Sequence, residues 1–290
     1  MKVVLNEKKF CKTHSTYELA TNSYFCTMQR FFVQLAYDGT NYHGWQVQKN
    51  AHTVQAKVNA ALSTALQEKT ETLGCGRTDT GVHAKEFFAH FDCCENFNFQ
   101  DLMHKLNCLL PKDIAVYSVF RVSSETNARF DAISRTYEYH IHQHKNPFLL
   151  NKSLLYFGKM DLKKMNEAAR ILLDYEDFSA FSKSRTQVKT NICKISRAKW
   201  EIARSDQFVF QITADRFLRG MVRAIVGTMI DISEGKISIE QFKKIIESKD
   251  RKKAGENVPA CGLYLTHVKY HKEIVIRQQV ANNQQPVWQQ

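Results

Sequence analysis

The chain has 290 residues, 43% of them hydrophobic and 24% charged, with a formal net charge of +12. That length and balance suit one large or two ordinary folded domains and exclude a fibrous or wholly disordered chain. No apolar run reaches the length of a membrane span, and the lysine-bearing stretch 1–10 lacks the apolar core of a secretory signal, so we expect a cytoplasmic protein with no membrane partner. The positive surplus favours polyanionic partners, nucleic acid foremost. None of the eight cysteines forms a Cys-x-x-Cys pair. Their spacing suits neither a zinc site nor a disulfide framework and predicts reduced thiols.

Residues 1–28 show no clear periodicity and read as an N-terminal extension, with Met28 a candidate native start. Phe31, Val33, Leu35 and Tyr37 then alternate as one face of a strand does, and Asp38-Gly39 supplies a turn. Thr53 caps a helix whose buried face carries Val54, Val58, Ala61, Leu62, Ala65 and Leu66. A glycine-rich loop over 74–81 leads into a strand through Phe87, Ala89 and Phe91. Leu102, Met103, Leu106 and Leu110 mark a helix that Pro111 stops, and a strand covers 114–122. Residues 29–134 thus read strand, helix, strand, strand, helix, strand.

Residues 135–272 form a second half. A strand is predicted over 136–142, and Asp161 caps a helix bearing Leu162, Met165, Ala169 and Leu172. Strands follow at 194–203 and 207–213, helices at about 216–232 and 239–248, and a last strand at 263–268. Residues 273–290 are glutamine-rich and read as a disordered tail. Both halves mix strands and helices without a strict βαβ rhythm, which argues for an α+β fold.

The chemistry concentrates in Gly74-Cys75-Gly76-Arg77-Thr78-Asp79-Thr80-Gly81-Val82-His83-Ala84. Three glycines permit tight turns that bring backbone close to a ligand, and a cation near Asp79 would favour its charged form. The glycine spacing does not fit Gly-x-Gly-x-x-Gly, and the loop lacks the Gly-Lys-Ser/Thr end of a P-loop. On residue types alone, an ordinary glycine-rich turn with a solvated ion pair accounts for it equally well. Asp79-Thr80-Gly81 also spells the aspartic-protease triplet, but Arg77 and Thr78 precede it where an apolar strand belongs, and a nearby Arg opposes a shared proton.

Gly76-Arg77-Thr78-Asp79-x-Gly81-Val82-His83-Ala84 resembles the signature of TruA-type pseudouridine synthases, with Thr80 where that family usually has alanine. The resemblance extends over about 30–270. It runs through Tyr37-Asp38-Gly39-Thr40-x-Tyr42-x-Gly44-Trp45-Gln46, Leu110-Pro111-x-Asp113-Ile114, Ala128-Arg129-Phe130 and Arg135-Thr136-Tyr137-x-Tyr139. It continues in Asp177-Phe178-x-x-Phe181, where Glu176 replaces a frequent histidine, in Phe217-Leu218-x-x-Met221-Val222-Arg223-x-Ile225-Val226-Gly227, and in Gly262-Leu263-Tyr264-Leu265.

The resemblance implies a pseudouridine-synthase fold: two α+β halves sharing a largely antiparallel sheet with a central active-site cleft. It implies isomerisation of uridine at positions 38, 39 and 40 in the anticodon stem-loop of tRNA, by a homodimer needing no cofactor or metal. Asp79 would be the catalytic carboxylate and Arg223 its cationic partner. Tyr137 would stack beneath the target base and is a candidate for handling the C5 proton, Leu263 would close the pocket from the other face, and Arg77 would contact RNA phosphate or organise the loop. Each has a plain structural reading beside it: a surface Arg on an amphipathic helix, a half-buried strand Tyr, a core Leu. His140, His142 and His144 alternate as half-exposed strand histidines do, without an evident fourth metal ligand. Lys183, Arg185, Lys189, Lys194, Arg197, Lys199, Lys252 and Lys253 are candidates for phosphate contacts. The alternatives are a non-catalytic RNA-binding protein of the same fold and, more remotely, the protease.

Overall fold

The computed structural model describes residues 27–94, 97–183, 190–271 and 274. Residues 1–26 of the expected extension, the expected tail apart from Ile274, and the basic residues Arg185 and Lys189 lie outside the described residues. In chain order come β1 (Met28–Tyr37), α1 (Val54–Leu66), β2 (Leu73–Gly74), β3 (His83–Cys94), α2 (Phe99–Leu109) and β4 (Ile114–Val122). There follow β5 (Ser134–His142), β6 (Leu154–Leu155), α3 (Leu162–Ile171), β7 (Ile195–Arg204), β8 (Gln207–Ala214), α4 (Met221–Ser233), α5 (Ile239–Ser248) and β9 (Leu263–Lys269).

The helix starts are set by side chains that take up free backbone N–H groups. Thr53 accepts from Ala56 at α1, and Asn98 accepts from Gln100 and Asp101 at α2. Asp161 accepts from Lys164 at α3, and Ser238 and Gln241 form a reciprocal capping box at α5. Helix α4 begins at Met221, five residues later than the apolar pattern from Arg216 suggests. Gly220, at φ +73°, holds a left-handed turn that a helix cannot pass through.

Among the described residues one nine-stranded sheet runs in the order β4-β1-β3-β9-β5-β8-β7, with β2 beside β3 and β6 beside β5. The pairings are antiparallel except β3 with β9 and β5 with β6. The parallel β3–β9 seam is short, pairing His83 with Tyr264 and Ala84 with Leu265. On one side of it, β1, β3, β4, α1 and α2 enclose a core rich in phenylalanine. On the other, β5, β7 and β8 pack on α3, α4 and α5 around Phe178, Trp200, Phe210 and Phe242.

Strand β1 departs from simple alternation. Phe31, Phe32, Val33, Gln34 and Leu35 are all buried, because the strand lies between β3 and β4 and is covered on both faces. Phe31 meets Phe91, Phe97 and Phe99 on one face, while Phe32 meets Phe88, Phe120 and Tyr270 on the other. Cys75, Cys108, Cys193 and Cys261 are free thiols, as expected, but Cys94 is disulfide-bonded. Spacing along a chain does not report which thiols folding brings together. Among the described residues no helix is long and apolar enough to cross a membrane.

Candidate active site

The 74–84 loop crosses from one core to the other. Its start is tied to β3 by the Cys75 N–H donating to Phe88 O at 2.7 Å. At its end Val82 is buried in the second core and Ala84 in the first. Between these anchors the segment from Tyr37 to Trp45 forms a cradle. The Tyr37 and Thr78 hydroxyls bond at 2.9 Å in a buried position, the Trp45 N–H donates to Thr78 O at 3.3 Å, and the Gly81 N–H donates to Tyr42 O at 3.2 Å. The approach is too close for side chains. A Cβ on Gly39 would lie 1.9 Å from Val82 O, and one on Gly44, at φ +85°, would lie 2.2 Å from Thr78 O. Tyr42 in turn donates to Asp113 at 2.6 Å, which gives the Leu110–Ile114 motif its place as a brace behind the cradle.

This support presents Asp79 half-buried, with guanidinium groups at both carboxylate oxygens. Arg219 Nε lies 3.5 Å from Oδ1 and Arg223 Nη1 lies 4.0 Å from Oδ2. The two arginines differ in freedom. Arg223, on the first turn of α4, is 20% exposed and its Nε donates to Val258 O at 2.6 Å. Arg219, in the turn before the helix, is 60% exposed.

Tyr137 lies on β5 where the two cores meet and packs against both. The Phe217 ring meets it edge-on at 5.1 Å. Burial pushes the Tyr137 phenol well above its usual value, and the charge of Asp79 adds in the same direction. The hydroxyl therefore stays protonated at neutral pH, which suits a stacking platform and a hydrogen-bond donor and disfavours a phenolate base. Leu263 opens β9, is 6% exposed and belongs to the second core. Arg77 is exposed on the loop. Cys75, next to this chemistry, is buried and its thiol is pushed up to about 12, chiefly by desolvation, so it offers no nucleophile.

Arg135 is a residue to which the sequence motif attaches no role and the structure gives a clear one. Its guanidinium donates to Cys75 O at 2.9 and 3.3 Å, to Ala132 O at 3.1 Å, to Asp215 O at 2.7 Å and to Arg129 O at 2.5 Å. It fastens the base of the loop to the Ala128-Arg129-Phe130 segment and to the end of β8. Burial lowers the Arg129 guanidinium pKa, and Arg77, Arg135 and Arg216 lower it further, so these four cations share one neighbourhood. Arg219 is the other site residue that motif reading passes over. Its signal is the four-residue spacing of Arg219 and Arg223 in Phe-Leu-Arg-Gly-Met-Val-Arg.

His83 joins the halves. Its Nδ1 lies 2.9 Å from Asp38 Oδ1 and 3.1 Å from the Gly39 N, its Nε2 lies 3.2 Å from Cys261 O, and burial lowers its pKa against the pull of Asp38. A cavity of about 390 Å³ opens beside Asp38, His83, Lys112 and Lys152, and Asp79 does not line it. Lys152 there pairs with Asp38, and Lys85 with Glu138. His140 lies 3.1 Å from Glu138, His144 lies 3.5 Å from Asp206, and His142 is buried. Among the described residues no three His, Cys, Asp or Glu side chains gather as metal ligands would.

A family model described as tRNA pseudouridine synthase matches residues 168–271. The proteins named tRNA pseudouridine synthase A from Bacteroides thetaiotaomicron and Bacteroides fragilis are each 50% identical over 249 residues, covering 85% and 86% of this chain and 93% and 99% of theirs. The protein of that name from Porphyromonas gingivalis is 49% identical over 252 residues, covering 86% of this chain and all of its own. With half of the residues shared over nearly the whole length of these relatives, the chain belongs to the tRNA pseudouridine synthase A family.

Proposed function

We propose that the protein isomerises uridine to pseudouridine in tRNA, at positions 38, 39 and 40 of the anticodon stem-loop, with Asp79 as the catalytic carboxylate. The observation that carries this reading is one carboxylate at the seam of two cores, flanked by guanidinium groups and set beside a protonated tyrosine. The reaction breaks the N1–C1′ bond, turns the uracil and forms a C5–C1′ bond, with no redox change. It requires a carboxylate beside the ribose, either to attack C1′ or to take a proton from the sugar.

In this reading Arg223, tethered to Val258 O, keeps a cation against Asp79 throughout the cycle. Tyr137 stacks on the extruded ring, and Leu263 closes the other face. A target base in a stem must leave its stack at a cost of a few kcal/mol, which backbone contacts offset. Arg77, Arg129 and Arg216, which lie near one another, supply such contacts, and the net charge of +12 favours a polyanionic substrate. The same reading includes a cytoplasmic homodimer whose protomers share one basic surface for tRNA.

The test is tritium release from tRNA carrying 5-tritiated uridine, comparing the wild type with Asp79→Asn. Release by the wild type alone would establish isomerisation at C5 and the role of Asp79. A folded wild type that binds tRNA and releases nothing would put the non-catalytic RNA-binding reading in its place.

A further inference from the structure

We infer that Arg219 is a displaceable cation that leaves Asp79 for a backbone phosphate of the entering RNA strand. The inference rests on the isomerase reading above. It starts from a charge imbalance. One carboxylate carries one negative charge, and two guanidinium groups face it, at 3.5 Å and 4.0 Å. One of them is surplus to neutralising Asp79. An anion from outside is what such a site lacks.

The structure also distinguishes which arginine moves. Arg223 is 20% exposed and anchored through Nε to Val258 O at 2.6 Å. Arg219 is 60% exposed; both arginines stand beyond the usual hydrogen-bond range of Asp79, at 3.5 Å and 4.0 Å, so exposure and anchorage separate them. Its backbone is fixed, with Arg219 O accepting from the Lys183 N–H at 3.0 Å and Gly220 at φ +73° behind it. Motion is therefore left to the side chain, whose long stem turns at little cost in the open.

The chemistry of RNA supplies the anion. Any ribose that brings C1′ to Asp79 carries phosphates on its own 5′ and 3′ oxygens. One of these must arrive within reach of a side chain that already meets the carboxylate. A guanidinium fork matches phosphate oxygens with two parallel hydrogen bonds. The exchange leaves Arg219 paired and Arg223 in place, and uncovers Oδ1 of Asp79 for the sugar. Arg219 so becomes a substrate-binding residue that keeps the free site closed.

The experiment follows tritium release and equilibrium tRNA binding across a potassium chloride series for the wild type, Arg219→Gln and Arg219→Lys. We expect Arg219→Gln to raise KM about tenfold, with the larger part of its loss in KM and not in kcat. Its salt slope for binding and for kcat/KM should be shallower by about one phosphate contact, and Arg219→Lys should restore that slope. A wild-type KM and slope in Arg219→Gln would overturn the inference, as would equal losses in both variants with the slope unchanged. A wild type that binds tRNA without releasing tritium would end the isomerase reading separately, and the binding slopes would still decide whether Arg219 meets a phosphate.

Discussion

Arg135→Lys isolates the geometry of one guanidinium from its charge. The arginine reaches four backbone carbonyls, of Cys75, Arg129, Ala132 and Asp215, from one planar group. A lysine keeps the positive charge, and with it the repulsion felt by Arg129, but its compact ammonium cannot span these acceptors. The bonds to Arg129 O and Asp215 O are open to water, which replaces the lost donor at small cost. Those to Cys75 O and Ala132 O are partly buried. Losing a charged donor there costs about 1–2 kcal/mol for each carbonyl, so we expect a loss of about 3 kcal/mol in all. Urea unfolding should show a lower midpoint with an unchanged slope. Because Cys75 begins the loop that carries Asp79, tritium release should fall mainly through kcat. Stability within about 0.5 kcal/mol of the wild type, with kcat unchanged, would refute the assignment of Arg135 as the fastener of the loop.

Gly44→Ala combines a positive φ with a Cβ 2.2 Å from Thr78 O. It should cost about 2–4 kcal/mol and lower kcat by moving the carbonyl next to Asp79, while a urea midpoint near that of the wild type would contradict the cradle. Tyr37→Phe strands the Thr78 hydroxyl in a buried position and should cost about 1–2 kcal/mol. In a double-mutant cycle with Thr78→Val, most of that loss should be shared, and full additivity would count against the pair. Glu138 is held down to about 2, first by its hydrogen bond with His140 and then by Lys85, against an ordinary value of 4.5. A folded value below the unfolded one means stabilisation that is complete above 4.5 and lost as pH falls toward about 2. The stability gap between wild type and Glu138→Gln should therefore close on acidification, and a gap that stays constant in urea titrations would exclude this linkage.

Much of the architecture is legible along the chain because the forces that set it are local. Capping side chains at Thr53 and Asp161 act on N–H groups three residues away. Strand alternation from Thr136 to His142 and helical spacing from Ile239 to Ser248 repeat within a few residues, so periodicity alone marks β5 and α5. The loop around Asp79 is also visible, because its glycines and charged residues lie in one short string.

Partners distant in sequence are not visible in this way. Cys75 and Arg135 are 60 residues apart, and His83 and Cys261 are 178 apart. Asp79 meets Arg219 and Arg223 only because the β3–β9 seam brings the two halves together. The two-sided burial of β1 likewise depends on its neighbours, and the late start of α4 on a backbone turn at Gly220. A single chain spells out its local preferences, whereas the set of cations around Asp79 is a property of the folded sheet, whose strand order no spacing records.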